Sequence, residues 1–204
     1  MRPVLYVVIS FFYLCSIAQE IPLDKHKLGV KTSINISSIL GSELQNPRPK
    51  FGYTAGAFYI YQTDNKLNLY TELLGNFKGA NFSNGDTGYS RIALFYVDLA
   101  IMPMYKFNEG KSSVCLGPYT SLLGLSSLFI GDKKKAELND LDFKNYDIGV
   151  AAYYHISRKN MSFQIGTKMG LTNVNEDVNF VGYFPQTGTN GNIRNVSLEI
   201  GMLF

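Results

Sequence analysis

Eight stretches of this 204-residue chain alternate apolar and polar residues with a period of two, and the connections between them run long, short, long, short, long, short, long. Successive side chains of a β-strand point to opposite faces, so each stretch carries one apolar and one polar face. In the first, Leu28, Val30, Thr32, Ile34 and Ile36 oppose Lys27, Gly29, Lys31, Ser33 and Asn35. A helix would mix these two sets, and Gly29 with Ile34 and Ile36 would weaken it further.

The same pattern recurs to the end of the chain. From about Lys50 to Tyr61, Phe51, Tyr53, Ala55, Ala57, Tyr59 and Tyr61 share a face, with aromatics at both ends. Further strands follow from Leu67, from Arg91 to Phe107, and from Val114, each alternating in the same way. Strand six sets Ile148 to Ile156 against Asp147 to His155, strand seven sets Met161 to Leu171 against Ser162 to Gly170, and strand eight sets Val196 to Phe204 against Asn195 to Gly201. Pro103 and Pro118 are awkward in strands paired on both sides, and Pro103 is expected to mark a bulge or register break near a rim. Polar turns at Gln62 to Lys66, Asn108 to Lys111 and Ser157 to Asn160 are the short connections. The long ones include Gly79 to Tyr89, Gly124 to Asp142 and Val174 to Asn192.

Glycine and charge on the minority face, with aromatics at the ends of the apolar face, favour lipid outside and a polar interior. A soluble ligand-binding barrel would reverse the two faces. The expected fold is therefore all-β: an eight-stranded antiparallel up-and-down transmembrane β-barrel in the bacterial outer membrane. Eight strands leave an interior filled by side chains, with no open pore. Phe204 lies in phase with its apolar face, and outer-membrane barrels commonly end on such an aromatic, which the barrel-insertion machinery reads.

Residues 1–18 resemble a cleaved signal peptide: Arg2 is positive, Val4 to Leu14 is apolar, and Ser16-Ile17-Ala18 is a small-x-small site. Leu14 before Cys15 argues against a lipoprotein site, and the apolar run is short of the ~20 residues a membrane helix needs. Residues 19–26 then form a short periplasmic segment and 27–204 the barrel. Loss of the signal leaves Cys115 as the sole cysteine and changes the net charge from +3 to 18 minus 16, or +2. So small a charge, with no basic cluster interleaved with aromatics, excludes nucleic acid as a partner.

Short motifs in matching order resemble the PorT-like outer-membrane β-barrel family. They are Leu28-Gly-Val-Lys-Thr-Ser-Ile-Asn-Ile-Ser37, Tyr70-Thr-Glu-Leu73 with Lys78-Gly-Ala80, Tyr96-Val-Asp-Leu99, Leu116-Gly-Pro-Tyr119, Asp147-Ile-Gly149 and Gly170-Leu-Thr-Asn-Val174. Ala100 departs from the pattern, which has a proline there; Pro103 stands three residues further on. The resemblance implies a barrel of about eight strands and no single shared activity, the member that names the family serving protein secretion.

Candidate sites fall in the lumen and the loops. Lys31, Lys78, Lys106 and Lys168 share the inward face with Glu72, Asp98, Asp147 and Glu199. Buried charges must be paired or hydrated, so these eight read first as a structural network centred on Glu72, and second as a proton or ion path. The mature histidines, His26 and His155, are expected at the periplasmic end, His26 before strand one and His155 solvated at the rim. Neither sits where an acyl hydrolase acting on surface lipid needs its base, so no catalytic residue, metal ligand or cofactor is assigned. Lys133, Lys134 and Lys135 form a possible loop contact for lipopolysaccharide or an acidic partner, although Asp132 to Lys144 is net neutral. Phe180, Tyr183 and Phe184 put more apolar surface in the last loop than solubility needs. The expected protein is a monomer in contact with outer-membrane lipid. Its role is a non-enzymatic structural or interaction one, with a secretion component, a narrow channel and a lipid-modifying enzyme as alternatives.

Overall fold

The computed structural model describes residues 25–41, 47–63, 66–83, 89–130, 133–137, 144–158, 161–173 and 194–204. Among the described residues there are nine strands: β1 (His26–Leu40), β2 (Arg48–Tyr61), β3 (Leu67–Ser83), β4 (Tyr89–Phe107), β5 (Ser112–Ile130), β6 (Lys133–Glu137), β7 (Tyr146–Arg158), β8 (Met161–Gly170) and β9 (Arg194–Leu203). Every pairing is antiparallel, in the order β4-β3-β2-β1-β9-β8-β7-β5, and β5 returns to β4. Eight strands thus close on themselves, leaving no open edge in the wall they share. Among the described residues short β6 pairs with β5 alone, above the point where the β5–β7 ladder stops at Leu122 and Tyr146.

Tight turns at one end follow from local chemistry. Between β4 and β5, Asn108, Glu109 and Gly110 all adopt positive φ, a conformation natural to glycine and tolerated by asparagine. At the opposite end the chain departs from expectation. Gly79–Ser83 continue β3 where a loop is expected, and Gly124–Ile130 continue β5. β6 then turns part of the third long connection into a hairpin. Ladder hydrogen bonds satisfy these backbone groups, so polar composition alone does not make a loop there. His26 is likewise the first residue of β1 and pairs with Tyr61.

Pro103 breaks no register. The β4–β5 ladder stops at Ala100 opposite Tyr119 and resumes in the same register at Met104 opposite Cys115. Both prolines fall inside that gap, where neither can supply an N–H. The bulge lies higher: Phe95 pairs with Leu125 and Tyr96 with Leu123, leaving Gly124 unmatched. It reverses the facing of β5 above it, so Ser126 is buried and Leu125 exposed.

Outward residues form an apolar band. Near the short turns it is edged by Tyr59, Tyr61, Tyr105, Phe107 and Tyr154, with Phe107 6.5 Å from Tyr105 and 6.1 Å from Tyr154. Toward the long loops, Tyr53 stacks 4.5 Å from Phe77, which lies 4.7 Å from Phe95. These are the two aromatic girdles of a membrane barrel.

Candidate functional site

The lumen holds three layers. In the middle, Lys31, Lys78, Lys168, Glu72, Asp98 and Glu199 are all buried and form one network. Lys31 Nζ lies 2.8 Å from Glu72 Oε2 and 3.2 Å from Glu199 Oε2. Lys168 Nζ reaches three carboxylates: Asp98 at 2.9 Å, Glu72 at 3.2 Å and Glu199 at 3.9 Å. Lys78 Nζ is 3.6 Å from Asp98 and lies over the Tyr96 and Tyr119 rings, at 4.5 and 5.5 Å from their centroids. Three ammonium groups thus balance three carboxylates, and the pairing offsets the several kcal/mol that desolvating each ion would cost.

Neutral groups complete the layer. Tyr70 and Tyr153 donate to the two Glu72 oxygens at 2.9 and 2.8 Å, while Ser121 and Asn76 donate to Asp98 at 2.6 and 2.8 Å. Alternation puts these residues on the inward face, but which hydroxyl meets which carboxylate depends on strands far apart in sequence.

Two members of the expected set stand apart. Lys106 sits near the short-turn end and donates to Gln62 Oε1 at 3.3 Å. Asp147 is buried toward the long-loop end, where it accepts from Thr172 at 2.6 Å, Asn195 at 3.1 Å and Tyr119 at 3.3 Å. A side chain at Gly170 would meet these carboxylate oxygens, at 2.8 and 2.9 Å from a Cβ there. Neither residue joins an ion pair of the central network.

Apolar side chains close both ends of the charged layer. Phe58, Ile60, Met102, Met104 and Leu203 are buried with Tyr70, Tyr153 and Cys115 toward the short turns. Ile39, Phe82, Ile92 and Leu94 are buried toward the long loops. Phe58 and Ile60 are inward residues that the sequence reading missed; the signal was available, since they continue the inward phase of Thr54 and Gly56. His155 belongs to this lower layer and is not a solvated rim residue: its Nε2 pairs with Gln164 Oε1 at 3.0 Å and its Nδ1 faces Cys115 Sγ at 3.8 Å. β7 continues past His155 to Arg158, which keeps the imidazole inside the wall. Both members of the Cys115–His155 pair are buried in that layer. Among the described residues, no group of three His, Cys, Asp or Glu side chains could hold a metal ion.

Of the expected loop contacts, Lys133, Lys134 and Lys135 begin β6, where Lys133 pairs with Ile130 and Lys134 with Phe129 of β5 and Lys135 is the unmatched residue at a register shift. Phe180, Tyr183 and Phe184 lie outside the described residues, as does the expected signal peptide.

Residues 17–176 match a family model described as an outer membrane protein beta-barrel domain. Solved structures are similar in fold. Neisserial surface protein A aligns at 11% identity and TM-score 0.52, covering 87% of this chain and 97% of that one. Ail, the attachment invasion locus protein of Yersinia pestis, aligns at 10% identity and TM-score 0.47, covering 88% and 97%. OprG of Pseudomonas aeruginosa aligns at 10% identity and TM-score 0.46, covering 86% and 93%. No curated protein sequence matches the chain.

Proposed function

Given that the chain belongs to the outer membrane protein β-barrel domain family and resides in the bacterial outer membrane, we propose that it is a closed scaffold without enzymatic activity that acts through its extracellular surface. The observation that carries this reading is the layered lumen. A neutralised charge network lies between two apolar layers, which supports neither a water-filled path nor a reactive group within reach of substrate. What such a barrel has to offer a partner is the wall and loops beyond the long-loop girdle, which face outward from the cell in barrels of this kind. β4 and β5, at 19 residues each, are the longest strands, and β6 adds a third strand to that projection.

Export by removal of residues 1–18 and a monomeric barrel complete the proposal. Photo-crosslinkers placed at 133–137 and at 174–192 in intact envelopes test it: a discrete protein adduct from either segment is expected, and none from both would overturn the contact reading. The PorT-like motifs favour a second reading, a component of a protein-secretion apparatus. Adducts containing secretion proteins would select it.

A further inference from the structure

The outer face of the wall carries a row of basic and aromatic residues just beyond the apolar band. Arg48 on β2 pairs with Asn81 on β3, Asn81 with Arg91 on β4, and Arg91 with Phe129 on β5. Directly paired residues share a face of the sheet, so these side chains stand side by side across four strands. Arg91 occupies the next outward position after Ala93, the last apolar residue of that face on β4, and its guanidinium lies over the Phe129 ring at 4.5 Å from the centroid. Its Nε is buried without a hydrogen-bond partner.

Of the carboxylate side chains that the structure describes, Glu72, Asp98, Asp147 and Glu199 are in the lumen, and Glu109 is in the turn at the far end of the barrel. Among the described residues, neither arginine has an acidic partner. Below the row, four residues or roughly 13 Å along the strands, runs the outward stack of Tyr53, Phe77 and Phe95. Cationic forks above an aromatic, lipid-facing ledge match an amphiphile with phosphate at one end and hydrocarbon at the other. Arginine also bends its charge toward an interface while its stem stays against apolar surface.

We propose that Arg48 and Arg91 form a binding site for the phosphate of an outer-leaflet lipid of the phosphorylated lipid A class, whose acyl chains lie on the Tyr53–Phe77–Phe95 ledge. Asn81 spaces the two arginines and donates to Pro49 O at 3.1 Å, which steadies the bulged start of β2 beneath Arg48. The site is on the outside of the wall, so it depends neither on the lumen nor on a protein partner.

Native mass spectrometry of the full-length protein, folded in a neutral detergent, tests this with three probes: diphosphorylated lipid A, the same lipid with both phosphates removed, and its phosphorylated disaccharide without acyl chains. Diphosphorylated lipid A should bind most tightly. Arg48→Gln and Arg91→Gln should each weaken it about fivefold, while the gel shift between unboiled and boiled protein is unchanged. Equal binding of the dephosphorylated lipid would overturn the proposal, because the arginines would then be idle. Equal binding of the acyl-free disaccharide would overturn it too, since the site would then serve a soluble anion. Should either variant lose its fold, Arg91→Lys and the three wild-type titrations still decide the matter: the wild-type order of affinity must be lipid A above both controls, and any other order refutes the site.

Discussion

Lys168 shares its ammonium among carboxylates on β3, β4 and β9, so its removal strips Asp98, Glu72 and Glu199 of a common counter-charge in one step. Lys168→Met should destabilise the barrel by about 3–5 kcal/mol, the usual cost of orphaning buried charge. Lys106→Met, outside the network, should stay within about 0.5 kcal/mol. Urea unfolding in lipid vesicles measures both, and similar values would refute the division of the lumen into separate sites. Lys31 and Glu72, 2.8 Å apart, should be coupled: the double variant Lys31→Met with Glu72→Gln should cost less than the sum of its parts by roughly 0.5–3 kcal/mol. Cys115 supplies an independent probe. It is buried beside His155, so a maleimide should label it only after unfolding; rapid labelling of folded protein would mean that the lower apolar layer admits solvent.

At the scale of the strand, alternation specifies faces well because one face must meet lipid and a one-residue slip would invert every side chain. Lys31, Glu72, Asp98 and Lys168 were therefore legible as inward residues. Bulges were not legible, since one extra residue leaves the sequence periodic on both sides and moves only the phase. Gly124 shows this: the glycine suits a loop, yet it is the unmatched residue of a continuing ladder. Deleting it should carry 125–130 to the opposite faces. Cysteines placed at Ser126 report the change, protected from a water-soluble maleimide in the parent and labelled in the deletion; an unchanged pattern would place the bulge elsewhere. The prolines illustrate the converse. Each looks disruptive alone, but Pro103 and Pro118 share one gap in the β4–β5 ladder, so two missing donors cost the sheet a single interruption.

For the whole molecule, the stacking of layers decides what the barrel can do. Planar-bilayer recording should give no discrete conductance steps, because an ion would have to pass Phe58, Met102 and Met104, then a neutralised charge layer, then Phe82, Ile92 and Leu94. Steps that survive in freshly folded protein would refute this account of the lumen. The closed hydrogen-bonded wall should also resist detergent, giving a faster-running band before boiling than after. Contacts reach across the chain in a way no local pattern encodes: Lys168 and Glu72 are 96 positions apart, yet they meet because β8 and β3 stand on opposite sides of a narrow cylinder.

Period-two patterning determined the eight wall strands over most of their length, their two faces and the short turns, because each follows from where one side chain points relative to its neighbours, while glycine and charge on one face and aromatics at the ends of the other gave the membrane setting. Tertiary structure alone decided the partners of each lumenal charge, the isolation of Asp147, the burial of His155 and the alignment of Arg48 with Arg91. Those depend on register and closure, and register is a property of two strands at once.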